Sequence, residues 1–413
     1  MRIAVLGLGP RGRIYGGKTK RLGAEIVAVC DLKQELLQRV GAAWGVPENM
    51  RFTRDSDLFA LGKIADVMII ATQDRDHYAH AMRAMEAGYD LLLEKPLDPD
   101  FEKCVEMAEY AEKHGRKVLV CHVLRYSPFY RRVKSLLDSG AIGELKEIRH
   151  SENVGYWHFS HSYVRGLWRR EDETSPVILA KCCHDMDLLY WFAGANAKSV
   201  SSRGSLSYFT SNNAPQNAAE NCFECPLHGS CIFDAKRLYA GRKNTLGFRG
   251  CAKLKWGART FGVSKNTRAV IGALKSHAKQ YARCVWKCDN TVNDVQTVSM
   301  EMQNGVYATF TVSAFNESNY RRLELRGTKG EIIADDRGST ILLQRFDKRL
   351  KKIRTAPFGA LRGHHGGDSG IAKAVMNLHN IPHGDPNYTW IKDTLESHRI
   401  AHLAEKSRLG SGV

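Results

Sequence analysis

The sequence predicts an α/β chain: an N-terminal doubly wound parallel sheet, then an α+β part with an open, mainly antiparallel sheet. Three observations predict it. Short apolar runs alternate with helix-like stretches over the first 122 residues. Such alternation is the pattern of βα units. A Gly7-x-Gly9-x-x-Gly12 turn stands where the first strand would hand over to the first helix. The second half changes period, with apolar and polar residues alternating on both sides of Asn304-Gly305. That dipeptide is a strong hairpin turn signal.

Residues 2–6, 25–30, 66–71, 90–93 and 117–121 read as strands of the first part. Helices are expected at 77–87, stopped by Gly88, and at 101–113, with Gly115 just past the end. The first unit is therefore placed at 1–122 and the second at 123–413. In the second, 147–154 reads as a strand and about 180–193 as a helix. A basic, cysteine-bearing insertion follows at about 205–290. Strands to about residue 302, then at 306–315, 321–326, 331–334 and 340–345, read as an antiparallel meander. A closing helix is expected over roughly 388–406.

The glycine turn carries the first chemistry. Gly7 permits the tight turn, Gly9 lets the backbone approach a pyrophosphate, and Gly12 allows close helix–strand packing. The helix N-terminus then faces the phosphates. Asp31 ends the second strand, 19 residues after Gly12. A carboxylate there accepts hydrogen bonds from adenosine ribose hydroxyls and repels a 2′-phosphate, which favours NAD. Arg11 and Lys33 keep NADP open.

Of 413 residues, 43% are hydrophobic and 25% charged, an ordinary soluble composition. No apolar run approaches the roughly 20 residues of a membrane span, and residues 1–6 read as strand rather than leader. A cytoplasmic enzyme without membrane partner is expected. The net charge is +17, and residues 205–287 hold 14 Lys and Arg against three acids. This is a field that draws in anionic substrates. No nucleic-acid signature accompanies it, so no nucleic-acid partner is expected.

Glu94-Lys95-Pro96 follows the strand at 91–93. A lysine at the carboxyl edge of a parallel sheet points toward the ligand crevice. With the glycine turn, and with Thr72 and His77 in Ala-Thr-Gln-Asp-Arg-Asp-His, this tripeptide resembles the Gfo/Idh/MocA superfamily of NAD(P)-dependent sugar and cyclitol oxidoreductases. The superfamily also contains NAD-dependent glycosidases. The resemblance implies a Rossmann domain and an α/β domain whose open sheet faces the nicotinamide and often joins subunits, so a homo-oligomer is expected. It implies cofactor contacts from Gly7, Gly9, Pro10, Arg11, Gly12, Asp31, Thr72, Gln73, His77, Glu94, Lys95 and Pro96.

The resemblance places a proton-transfer histidine at His184, beside Lys181 and three residues before Asp187. Many sugar dehydrogenases of the group carry Asp four residues before that histidine; here the position is Ala180. The orienting base is thus unassigned, and Lys181 is expected to position a substrate hydroxyl or carboxylate. The stretch 156–170 is rich in aromatics, His and Arg. His158, Tyr163, Arg165, Trp168 and Arg169 are expected to meet a sugar by stacking and bidentate bonding. Arg125-Tyr126 resembles another substrate-facing stretch of the superfamily. The Gly363-His364-His365-Gly366-Gly367-Asp368 loop is similar to Gly-His-Gly-Gly loops in the superfamily, where a histidine acts on the glycosidic oxygen. Either His364 or His365 fits, and Asp368 is a substrate ligand or an N-cap.

Six of the eleven cysteines lie between 222 and 288. Cys222-x2-Cys225-x5-Cys231, with Cys251, Cys284 or Cys288 as a fourth, suits a structural zinc, and Cys288 is taken as the fourth. Free thiols or disulfides are the alternative, and an iron–sulfur cluster is disfavoured because no second electron-transfer signature appears. The expected activity is hydride transfer to or from a ring carbon, C3 favoured, of a pyranose, pyranoside or cyclitol, the basic stretches suggesting an acidic one. The alternative is a glycoside hydrolase that oxidises C3, eliminates, adds water and reduces again, recycling NAD.

Overall fold

A computed structural model describes residues 1–241, 249–355 and 364–410, the side chains of 249–253 excepted. Cys251's side chain, Gly363 and part of the basic insertion therefore lie outside the described residues. Strands β1 (Arg2–Leu6), β2 (Glu25–Cys30), β3 (Arg51–Phe52), β4 (Val67–Ile70), β5 (Asp90–Leu93) and β6 (Val118–Val120) form one sheet in the order β3-β2-β1-β4-β5-β6. Every pairing in it is parallel. Its central strands are continuous apolar runs because helices bury both faces. The reversal of direction at β1 and β4 opens a crevice at the carboxyl ends of these strands.

The glycines of the first turn have separate reasons. Gly7 has φ +91°, and a Cβ there would lie 2.4 Å from the Ala71 carbonyl oxygen. A Cβ on Gly12 would lie 1.9 Å from the Gly7 carbonyl oxygen. A Cβ on Gly9 meets nothing within 4 Å. Two glycines thus serve packing, and the third leaves open space before helix α1 (Pro10–Arg21).

The second sheet has eight strands: β7 (Leu145–Gly155), β8 (Ala197–Ser205), β9 (Val295–Met302), β10 (Tyr307–Asn316), β11 (Tyr320–Gly327), β12 (Gly330–Asp335), β13 (Thr340–Arg345) and β14 (Lys351–Arg354). Their order is β14-β13-β12-β11-β7-β10-β9-β8. The Asn304-Gly305 hairpin joins β9 and β10, with Gly305 at φ +79°. The expected meander is corrected in one respect. β7 enters between β10 and β11 and runs parallel to β10, so the sheet is mixed at its centre. The polar β8 escaped the sequence reading because alternate residues of Lys-Ser-Val-Ser-Ser-Arg carry little apolar signal.

The helix expected at 180–193 is two, Val177–Ala180 and Cys183–Ala193, broken at Lys181-Cys182. The chain also returns to the first sheet late. Ile371, Val375, Leu378 and Trp390 join the core built on β1, β2 and β4. Among the described residues no helix is long and apolar enough to cross a membrane.

Gly12→Ala is expected to lower thermal stability by about 1–3 kcal/mol through overpacking. Gly9→Ala is expected to leave the melting temperature within a degree or so and to weaken dinucleotide binding. Melting curves and nucleotide titrations of both variants check this; equal losses of stability would sink the distinction.

Candidate active site

Arg11, two residues beyond the Gly9 cap of α1, reaches three segments at once. Its Nε donates to Glu94 Oε1 (2.8 Å), and its Nη2 donates to Asp368 Oδ1 (2.9 Å) and to the Tyr15 hydroxyl. Tyr15 donates to the same Glu94 oxygen (2.7 Å). Burial raises the Glu94 carboxyl, but the charges of Arg11 and Lys95 hold it below its ordinary value. The network ties the glycine turn to the loop after β5 and to the 364–368 loop. Sequence reasoning missed Tyr15, whose only signal is its i, i+4 place after Arg11.

Lys95 Nζ donates to the Ala180 carbonyl oxygen (2.6 Å), the backbone of the position where relatives were expected to carry Asp. Burial favours loss of the lysine proton, but the neighbouring Cys183 sulfur and the Glu94 and Asp74 carboxylates raise its pKa, so it stays an ammonium. The Lys95-Pro96 peptide is cis, and the Pro96 carbonyl accepts from His77 Nδ1 (2.6 Å).

His184 is buried on the first turn of its helix, and its Nδ1 has no hydrogen-bond partner among the described residues. Burial, then Lys95, His122 and His364, push its pKa well below the ordinary histidine value. Its imidazole is therefore neutral. His364 lies against it, ring centroids 5.8 Å apart. His364 Nδ1 is 3.0 Å from Asp368 Oδ1, while His365 Nε2 turns away to Asp336 Oδ2 (3.2 Å). Both histidines have positive φ, 43° and 52°. Of the two, His364 is the one beside His184 and Arg11.

The far wall comes from the second sheet. Lys181 Nζ pairs with Glu152 (2.6 Å), Arg321 with Glu152 and Asp185 (both 2.6 Å), and Asp185 with His150 (2.7 Å). Glu152, Asp185 and Arg321 are buried, and sequence reading found none of them, since isolated charges on alternating strand positions, as at Glu152 and Arg321, read as surface and a charge on a helix's first turn, as at Asp185, reads as an end-of-helix residue. Tyr163 is buried near Asp74 and Cys183, the neighbours of Lys95, and its ring lies 6.4 Å from His158. Burial and Lys181 lower the His158 pKa to about 4.

Several expected substrate residues are committed elsewhere. Arg125 and Asp187 hold each other in a bidentate pair (2.8 and 2.6 Å) with side chains 4% and 1% exposed. The Tyr126 hydroxyl is bonded within the core to Thr389 (2.9 Å). Arg169 pairs with Asp289 (3.0 Å), and Trp168 Nε1 reaches Asp74 Oδ1 (3.4 Å). Arg165 points into a cavity among the cysteines instead. The zinc expectation gains no support from the side-chain positions. Among the described residues no three His, Cys, Asp or Glu converge as one metal ion requires. Cys222, Cys225, Cys231 and Cys284 line a common cavity, whereas Cys288 Sγ donates to the Cys284 carbonyl oxygen (3.2 Å).

The cofactor side of the crevice fits a dinucleotide. Gly9 and Pro10 open α1 with free space before them. Asp31 accepts from Leu8 N (2.7 Å) and Lys33 N (2.9 Å), so its carboxylate is fixed at the end of β2 with acceptor capacity to spare. Thr72 Oγ1 is engaged with His80 Nδ1 (3.1 Å), and Gln73 is exposed.

Fold and crevice define a Rossmann-type dinucleotide-binding fold joined to an α+β unit with an open mixed sheet. The chain belongs to the Gfo/Idh/MocA family. Residues 1–122 match its "Oxidoreductase family, NAD-binding Rossmann fold" and residues 130–245 its C-terminal domain. The chain is 23% identical over 279 residues to the putative oxidoreductase YteT of Bacillus subtilis, covering 66% of this chain and 60% of that protein. It is 28% identical over 206 residues to an inositol 2-dehydrogenase of Corynebacterium glutamicum, covering 48% and 56%. The match thus spans less than two thirds of these relatives' length. Solved structures share the fold. An Agrobacterium radiobacter oxidoreductase in complex with NAD+, L-tartaric acid and magnesium has TM-score 0.68 at 19% identity, over 100% of this chain and 97% of that one. The WlbA dehydrogenase of Bordetella pertussis, in complex with NADH and UDP-GlcNAcA, has TM-score 0.64 at 18% identity, over 100% and 97%.

Arg11→Met is expected to cost about 3 kcal/mol, because Glu94 and Asp368 lose their buried counter-charge; chemical denaturation measures it, and a loss under 1 kcal/mol would refute the role. A second expectation concerns pH. His158, His161 and His398 have folded pKa values of about 4, 3 and 3, lowered chiefly by burial. The unfolded chain binds protons at these sites first, so stability falls as pH drops from about 6.5 toward 5. Melting temperatures across that window are expected to fall by several degrees; a flat profile contradicts the buried neutral histidines.

Proposed function

We propose that this protein catalyses NAD-dependent hydride transfer at a ring carbon, C3 favoured, of a pyranose, pyranoside or cyclitol. The observation that carries this reading is the pairing of a protonated Lys95 with a buried, neutral His184 in one crevice. When bound, the nicotinamide supplies or accepts the hydride. Lys95 Nζ, anchored on the Ala180 carbonyl, donates to the reacting oxygen and stabilises its negative charge. His184 takes the hydroxyl proton at its unpartnered Nδ1 and returns it in the reverse direction. A neutral imidazole is the form needed for that first step.

Lys181, His158 and Tyr163 line the far wall and hold a further hydroxyl or carboxylate. This supports an acidic sugar, as does the basic insertion. The fixed Asp31 carboxylate favours NAD over NADP. The eight-stranded sheet carries a polar row in which Arg326 pairs across the strands with Glu147 and along its own strand with Glu324 (each 2.9 Å). This polar, flat face is the surface we assign to contacts between copies of the chain.

A second reading has its own observation. His364, oriented by Asp368 and adjacent to His184, is placed to protonate a glycosidic leaving oxygen. Elimination and water addition after C3 oxidation would then cleave a glycoside with no net redox.

Lys95→Ala is expected to lower kcat at least about 100-fold while NAD affinity stays within a few-fold. Assays with sugars, uronic acids and cyclitols, using NAD and NADP in parallel, check both points; undiminished turnover overturns the assignment. Aryl glycosides with catalytic NAD separate the two readings. Phenol release without NADH accumulation, lost in His364→Ala, selects hydrolysis.

A further inference from the structure

Two neighbouring buried rings each carry a nitrogen with no hydrogen-bond partner among the described residues: His122 Nδ1 and His184 Nδ1. His122 follows β6 directly and is fully buried. Its ring centroid lies 5.7 Å from that of His184, edge to face at 82°. A buried polar atom left unpaired costs free energy that folds normally avoid. Two of them on touching rings therefore point to a state in which they are paired.

The far side of the His122 ring fixes where its hydrogen sits. Burial, then Arg125 and Lys95, hold its pKa well below the ordinary histidine value, so the ring is neutral with one N–H. Leu97 N donates to His398 Nε2 (3.0 Å), so the neutral His398 carries its hydrogen on Nδ1. That nitrogen lies 3.2 Å from both the Thr394 carbonyl oxygen and Ser397 Oγ. Ser397 Oγ donates to the same carbonyl (2.7 Å), which leaves only its lone pairs for the rings. His122 Nε2 lies 3.4 Å from Ser397 Oγ and must supply the hydrogen of that contact. The hydrogen-bond network thus assigns the His122 hydrogen to Nε2 and leaves Nδ1 a bare acceptor.

Two other neighbours of His184 are committed. Ala180 has no polar side chain, and its carbonyl is taken by Lys95 Nζ (2.6 Å). His364 Nδ1 sits between Asp368 Oδ1 (3.0 Å) and Arg11 Nη1 (3.4 Å). The charged groups that face the two rings are Lys95 and Glu94 after β5, Arg125 beyond His122, and Arg321 on β11; the histidines against them are His364 and His398. Glu94 is the one carboxylate in that set, and Arg11 holds it. In so cationic a field a proton taken up by His184 is retained only if a neutral acceptor meets it.

We propose that His122 is a positioning residue for the proton transfer, its bare Nδ1 accepting the N–H that His184 acquires at Nδ1. This rests on the reading of His184 as the base. Two facing lone pairs make no bond, whereas one proton between them makes one. A nitrogen–nitrogen hydrogen bond of about 3 Å, added to the two ring radii, comes close to the observed centroid spacing, so a small turn of either ring closes the contact. In oxidation the electron pair of the substrate C–H bond leaves as hydride to the nicotinamide. The hydroxyl proton goes to His184 Nδ1, the carbonyl forms, and His122 holds the new N–H. In reduction the same proton returns to the substrate oxygen. The two rings share one proton and titrate as a pair.

The full-length protein is assayed with NAD and the sugar, uronic acid or cyclitol it oxidises. His122→Phe, which keeps a ring in place, is expected to lower kcat at least about 10-fold with KM within a few-fold. It is also expected to move the acid limb of the kcat profile to lower pH, because His184 loses the acceptor that favours its protonated form. His122→Asn, whose amide oxygen accepts a hydrogen bond, is expected to recover much of both. An unchanged kcat and limb in His122→Phe, or a loss with an unmoved limb that His122→Asn does not recover, overturns the proposal. His184→Ala, run beside them, separates the two levels. Undiminished turnover there sinks the reading of His184 as base, whereas its loss with His122→Phe unaffected sinks only the role of His122. If the variants fail to fold, or no compound is turned over, nitrogen NMR of the histidine-labelled unaltered protein decides. His122 protonated at Nε2 and bare at Nδ1 is expected; the opposite tautomer overturns the proposal.

Discussion

The crevice depends on one ion-pair centre. Arg11 extends from the start of α1 and is held by Glu94 after β5 and by Asp368 in the first turn of the late helix Gly367–Met376. These residues are 83 and 357 positions away in sequence, yet they share one guanidinium. An ion pair of this burial contributes little net stability, because desolvation offsets attraction. What it supplies is registry. The glycine turn, the Lys95 loop and the His364 loop have one mutual arrangement in which all three charges are paired.

A second buried network performs the same service on the opposite wall. Asp185 is bound by Arg321 and His150, and Glu152 by Arg321 and Lys181. These link the helix that carries His184 to β7 and β11. His184 therefore stands on a scaffold fixed by charges, while its own ring is kept neutral by burial and by the cations around it. Lys95 is in the opposite state, its ammonium held by nearby carboxylates despite burial. Two titratable groups pushed apart in this way make an acid–base pair.

The parallel sheet was legible because its strands are short and wholly apolar, and because glycine turns and caps punctuate them. β1, β2, β5 and β13 fall where periodicity puts them. β8 was not legible, since a strand with one polar face and small polar residues lacks amphipathic contrast. The parallel insertion of β7 beside β10 was hidden for a different reason. Local sequence carries turn signals for hairpins, but nothing marks which strand a long connection will pair with.

The same division runs through the site. Sequence alone determined the glycine turn, the Lys95 position at the carboxyl edge of β5 and a helix that carries His184, because each is a short-range pattern with a local geometric cause. Tertiary structure decided the rest. It turned Arg125, Tyr126, Arg165, Arg169 and Asp187 to structural partners, chose His364 over His365 beside His184, and set Cys284 rather than Cys288 in the cysteine cavity. The physical reason is that a charged or thiol side chain takes whichever buried partner the completed fold brings within reach. In this chain those partners lie tens to hundreds of residues away, where no spacing along the sequence records them.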